Sequence, residues 1–175
     1  ANFSLSERPG YLRLKGAAEP LSTNNTSTFV GRRLEAFNFT ATTELEFDPE
    51  NDNEQAGMIL ENNGTHFDIL LEKKNEKRMI KVQLMFGRTV YHSKEFELKP
   101  GPVQLRITGK KQTFIFTYAQ GTDRFTEIET VDSKFLATET VGFFTGVYIG
   151  LYATGNGKAA LANADYNWFE YAEVK

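Results

Sequence analysis

A chain of 175 residues with a formal net charge of −3 suits one domain and excludes the basic face that nucleic-acid binding requires. Residues are 40% hydrophobic and 13% aromatic, with fifteen Phe, seven Tyr and one Trp, enough apolar surface for a sizeable core. There is no Cys, so packing rather than disulfides must hold the fold, and no apolar run approaches the about 18 residues that a membrane-spanning helix needs.

The opening Ala1-Asn-Phe-Ser-Leu carries no basic n-region or apolar h-region and reads as a boundary inside a longer protein. Beyond it no window shows a sustained 3.6-residue apolar stripe. Period-two alternation recurs instead, as strands with one buried and one wet face require. Phe39, Ala41, Thr43, Leu45 and Phe47 alternate with Asn38, Thr40, Thr42, Glu44 and Glu46. Further on, Ile80, Val82, Leu84 and Phe86 form one such phase, Val103, Leu105 and Ile107 the next, and Phe114, Phe116 and Tyr118 another.

Turn signals separate these runs at short intervals: Asp48-Pro-Glu-Asn-Asp-Asn53, Asn62-Asn-Gly64, Lys74-Asn-Glu76, Phe86-Gly-Arg88, Lys99-Pro-Gly-Pro102, Gly109-Lys-Lys111 and Gln120-Gly-Thr-Asp123. About a dozen short strands with such turns predict an all-β, antiparallel two-sheet sandwich. Asp132 to Thr140 lacks alternation and is expected to form a loop or one short helical turn. Nothing splits the chain, so residues 1–175 are expected to form one domain.

Catalytic constellations are missing: there is no Cys nucleophile, Gly-x-Ser-x-Gly elbow, phosphate-cradling loop or HExxH. Both His, His66 and His92, fall in runs that read as exposed strands. Glycoside hydrolysis needs two carboxylates roughly 5 to 9.5 Å apart across a sugar site. The acids here, Glu44, Glu46, Asp68, Glu95 and Asp165 among them, mostly occupy the polar phase of strands or turns. The turn at Asp48 and Asp52 offers the clustered oxygens that Ca²⁺ prefers, and with Asp165 it is a candidate structural calcium site. Tyr152 and Trp168 are candidate sugar-stacking rings.

Several segments, in order, carry a resemblance. They are Arg8-Pro-Gly-Tyr-Leu-Arg-Leu-Lys-Gly16, Thr28-Phe-Val-Gly-Arg-Arg33 followed by Phe37 to Phe47, and Gln55-Ala-Gly-Met-Ile59. The closing pair is Gly142-Phe-Phe-Thr-Gly-Val-Tyr-Ile-Gly-Leu-Tyr-Ala-Thr-Gly-Asn-Gly-Lys158 and Asn163-Ala-Asp-Tyr-Asn-Trp-Phe-Glu-Tyr171. Together they resemble the β-sandwich that follows the catalytic domain in family 43 glycoside hydrolases, the β-xylosidase and α-arabinofuranosidase group. The resemblance implies a concanavalin A-like jelly roll that hydrolyses nothing alone. It implies packing on a catalytic five-bladed propeller of the same polypeptide, with an oligosaccharide substrate of the xylan or arabinoxylan kind shared between them. A loop before the penultimate strand then sets a Phe at the active-site mouth. Phe144 matches that position, beside Phe143 where a small residue is more usual, and Phe37 and Tyr148 are expected on the same interdomain surface. Asn167 stands where the family pattern carries a second Asp. The rival readings are a free-standing carbohydrate-binding module and a structural domain of the laminin G kind.

Overall fold

The computed structural model describes residues 2–19, 28–142 and 146–174. They contain fourteen strands in two layers. One sheet runs, edge to edge, β1 (Phe3–Ser4), β2 (Leu12–Lys15), β14 (Asn163–Glu173), β4 (Phe39–Glu46), β10 (Val103–Lys110), β11 (Thr113–Ala119) and β12 (Thr126–Asp132). The other runs β3 (Thr28–Arg33), β13 (Tyr148–Thr154), β5 (Gln55–Asn62), β6 (Thr65–Lys74), β7 (Lys77–Phe86) and β8 (Thr89–His92), with β9 (Phe96–Glu97) also pairing with β7. Every paired strand is antiparallel. The expected sandwich of all-β class is what forms.

Alternation sets the layers. Phe39, Ala41, Leu45 and Phe47 of the first sheet and Ile80, Val82 and Leu84 of the second are buried in one core, as are Val103, Leu105, Ile107, Phe114 and Phe116. Turn chemistry fixes the register. Asn63 and Gly64 both take positive φ between β5 and β6, and Asn75 and Glu76 do so between β6 and β7. These are the left-handed pairs that twist-matched two-residue hairpins demand. The non-alternating stretch becomes a short 3-10 turn (Ser133–Leu136) and helix α1 (Thr138–Val141).

One side chain ties the layers across the core. Tyr166, on β14, reaches the facing sheet, where its hydroxyl lies 2.8 Å from the Gly57 carbonyl and 2.7 Å from that of Tyr152. Gly57 and Tyr152 oppose each other in the β5–β13 ladder. A side chain at Gly57 would run into the Ile69 carbonyl, so this close approach of strands admits only glycine.

Candidate functional site

Two ends of the sandwich collect loops, and one of them holds the most exposed aromatic ring among the described residues. At that end the β3–β4 connection carries Phe37, 87% exposed. The ring stands between two hollows. One of about 450 Å³ is lined by Leu34, Phe114, Leu136 and Val147, with Lys111 and Lys134 at its margin. Another of about 390 Å³ lies toward Glu35, Thr138 and Glu139. The floor is built locally: Asp132 accepts from the Lys134 amide at 2.9 Å, starting the 3-10 turn, and Leu136 is buried beneath it. Asn62 then donates to the Leu136 carbonyl at 2.8 Å, fastening this turn to the β5–β6 hairpin. Gly142 in the left-handed region ends α1.

Tyr148 opens β13 at the same end. The Arg33 guanidinium lies over its ring, 4.9 Å from the centroid, and a Cβ on Gly146 would sit 3.5 Å from that guanidinium. The structure thus gathers Phe37, Tyr148 and both flanks of the 143–145 segment. Phe143 and Phe144 themselves lie outside the described residues. Arg33, which the sequence showed only as half of an Arg pair, joins this site through a cation–π contact that strand register alone produces.

The candidate stacking rings separate. Trp168 is 38% exposed on β14, past an irregularity in its pairing with β4. Tyr152 is 1% exposed and packs with Ile59, Leu70 and Phe29 on the second face of the β13 sheet. Its ring offers no face to a sugar, which corrects the expectation. The phenol is held well above its usual pKa by burial and by the nearby Asp68 carboxylate. Gly31 and Gly150 admit the Phe29 ring over them, closing this patch.

The acids proposed for calcium also part company. Asp165 sits against Arg13 at 2.7 Å and Arg8 at 2.8 Å. Burial raises its pKa, but those two guanidinium groups outweigh burial and hold it below the usual range. Asp48 pairs with Arg78 at 2.7 Å, and Asp52 is exposed. Among the described residues no three acidic or imidazole side chains stand close enough to share a cation. What organises the Asp48–Asn53 turn is a residue the sequence reading passed over. Glu54 is buried and accepts from the Glu50 amide at 2.7 Å, the Asn51 side chain at 3.1 Å and the Leu161 amide at 2.7 Å. Against the effect of burial, these donors hold its carboxyl below the usual range.

His66 is the second correction. It is 2% exposed rather than solvated, with Nδ1 2.7 Å from Asp68, which is equally buried. Burial alone would lower the imidazole pKa, yet the neighbouring carboxylate raises it, while burial pushes Asp68 up. Beside this pair Lys81 donates to Glu72 at 2.5 Å and Gln55 to the same carboxylate at 2.7 Å. The run around His66 reads as an exposed strand, but Gln83 of β7 donates to Asp68, and Lys81 of β7 and Gln55 of β5 to Glu72, so these acids are engaged by neighbouring side chains. His92, on edge strand β8, is exposed as expected.

A two-layered antiparallel sandwich of this strand order defines a domain of the concanavalin A-like class. Residues 1–172 match the family described as the β-xylosidase C-terminal concanavalin A-like domain, and the chain belongs to it. It is 37% identical over 97% of its length to a non-reducing end α-L-arabinofuranosidase of Bacteroides ovatus, covering 32% of that protein. It is 32% identical over 98% of its length to a xylosidase/arabinosidase of Butyrivibrio fibrisolvens, covering 34% of it. The solved structure of the Bacteroides ovatus xyloglucan PUL GH43B superposes with a TM-score of 0.94, at 36% identity, over 99% of this chain and 34% of that one. The chain therefore spans about a third of the length of these relatives, as an accessory domain of family 43 glycoside hydrolases.

Proposed function

We propose that this domain packs on a catalytic five-bladed propeller of the same polypeptide and walls off one side of its active-site mouth, in an enzyme that removes xylosyl or arabinosyl units from xylan-type polysaccharide. The carrying observation is the end bearing Phe37. An 87%-exposed Phe, hollows on both sides of it, and Arg33 over Tyr148 lie at the end that also carries Gly142 and Gly146. Aromatic and Arg side chains exposed together are the composition of interface cores, and an isolated domain gains nothing from them. Phe144 is the ring assigned to the mouth, with Phe143, Phe37 and Tyr148 around it. Such a wall excludes water and restricts the substrate to a short non-reducing end.

The names of the relatives support this sugar class, and their length supports a second domain. The test uses the full-length enzyme with short aryl xylosides and arabinosides. Phe144→Ala and Phe37→Ala are expected to raise KM or lower kcat, Phe144→Ala the more strongly. Unchanged kinetics for both would remove the mouth-shaping role. Clear binding of xylo-oligosaccharides by the 175-residue chain alone would favour a carbohydrate-binding module instead.

A further inference from the structure

We infer that the open side of the sandwich between β3 and β14 binds an extended segment of the same polypeptide lying outside residues 1–175, by strand addition. This rests on the reading that the chain is one part of a longer enzyme, and it concerns a different surface from the Phe37 end.

Among the described residues, two strand edges that are paired on one side alone flank this side. β2 pairs with β14 only from Asn163 to Tyr166, so among the described residues Asn167 to Glu173 have a strand partner, β4, on one side alone. β3 likewise pairs only with β13. Between the two edges Arg32 of β3 lies over the Tyr171 ring of β14, 4.5 Å from its centroid, and beside this contact the layers leave hollows. One hollow of about 260 Å³ is lined by Val30, Arg32 and Ile149, and another of about 440 Å³ by Leu5, Tyr11 and Trp168. Leu12, Leu151 and Phe169 line both, so the two are parts of one elongated groove. Its rim is apolar and open to solvent: Leu5 is 70% exposed and Val30 40%.

The shape selects the occupant. Unpaired strand edges carry N–H and C=O groups that need in-plane partners, and proteins normally cover, charge or shorten such edges. A rounded protein surface would fill the groove yet leave those groups unmatched. A sugar chain needs free convergent polar groups, and those on these walls are engaged within the chain: Tyr11 with Glu46, Asn167 with Glu44 and Arg32 with Glu35. An extended polypeptide meets both demands, since its main chain pairs with an edge while alternate apolar side chains enter the hollow. Relatives about three times as long have the chain to supply it.

Hydrogen–deuterium exchange on the full-length enzyme tests this. The amides of one of the two edges, residues 167–173 or residues 28–33, are expected to exchange at least tenfold more slowly there than in the 175-residue chain, with β5 and β6 equally protected in both. Equal exchange at the edges overturns the inference. Val30→Arg in the full-length enzyme, which sets a charge in the groove, is expected to speed edge exchange by about the same factor while β5 and β6 stay protected. This arm holds even where the short chain is unfolded, and no change in it also overturns the inference. Edge protection that disappears on dilution assigns the groove to a second copy, and protection that appears only with xylo-oligosaccharide assigns it to sugar; either result overturns the occupant named here. Protection of Leu34 to Asn38 in the same experiment reports separately on the Phe37 end, so the groove can fail while that end stands.

Discussion

The two ends of this sandwich are built from similar loops, rich in Asn, Gly and acids, yet they finish with opposite surfaces. At one end Glu54 collects amide donors from its own turn and from Leu161. Asn53 donates to the Gly155 carbonyl at 2.5 Å, and Asn156 donates back to the Asn53 carbonyl at 2.9 Å. These polar groups find their partners inside the chain. At the other end the hydrogen bonds of Asp132 and Asn62 stop at the floor, and Phe37 stands above it in solvent. A loop cluster that satisfies itself is structural, whereas one that holds rings out on a rigid floor is prepared for something else.

The comparison breaks first if the self-satisfied end is not a source of stability. Glu54→Ala removes the acceptor of several buried donors and is expected to destabilise the 175-residue chain by about 3 kcal/mol. Urea unfolding should show a lower midpoint with the slope unchanged. A loss below about 1 kcal/mol would mean that water replaces the carboxylate and that the turn is held by its amides alone. Tyr166→Phe comes next. It deletes one hydroxyl shared by two carbonyls in the core, at a cost of about 1–2 kcal/mol.

How much of this was legible follows the range of the forces involved. Period-two alternation is local, so the phase of Phe39, Ala41 and Leu45, and with it the sandwich, could be read directly. The turn at Asn63-Gly64 is also local. Burial on the second face of a sheet is not. His66 and Tyr152 occupy positions that look wet in one strand, yet both are buried in the fold, where Phe29 of β3 packs against the cluster that holds Tyr152 and the buried Asp68 pairs with His66. Glu54 hid for the same reason, because its decisive donor, Leu161, is 107 residues away. The partners of Asp165 hid likewise, because Arg8 and Arg13 reach it only through the β2–β14 ladder.

Acid sharpens the comparison at smaller amplitude. Glu54 has a folded pKa below its ordinary value, so its contribution to stability is complete above the unfolded carboxylate pKa, about 4.3, and is lost as pH falls through the folded value. Glu54→Gln should therefore flatten the acid limb of the stability curve relative to wild type and leave the neutral-to-alkaline limb parallel. Asp165, depressed by its Arg partners, has the same sign and persists in the variant, so the difference between the two curves isolates Glu54. Parallel curves throughout would show that the carboxylate is as well solvated folded as unfolded.

The smallest expected effect carries the most weight for function. Phe37 buries little of its ring, so Phe37→Ala in the 175-residue chain should change unfolding free energy by no more than about 0.5 kcal/mol. Folding then gives no reason for an aromatic residue at this place, and the reason must lie in what the ring meets. A destabilisation above about 1.5 kcal/mol would reverse that logic, because the ring would then be closing over Leu34 and Val147 in solution as part of the core. A near-silent stability change together with a kinetic defect in the full-length enzyme is the combination that only an interdomain role produces.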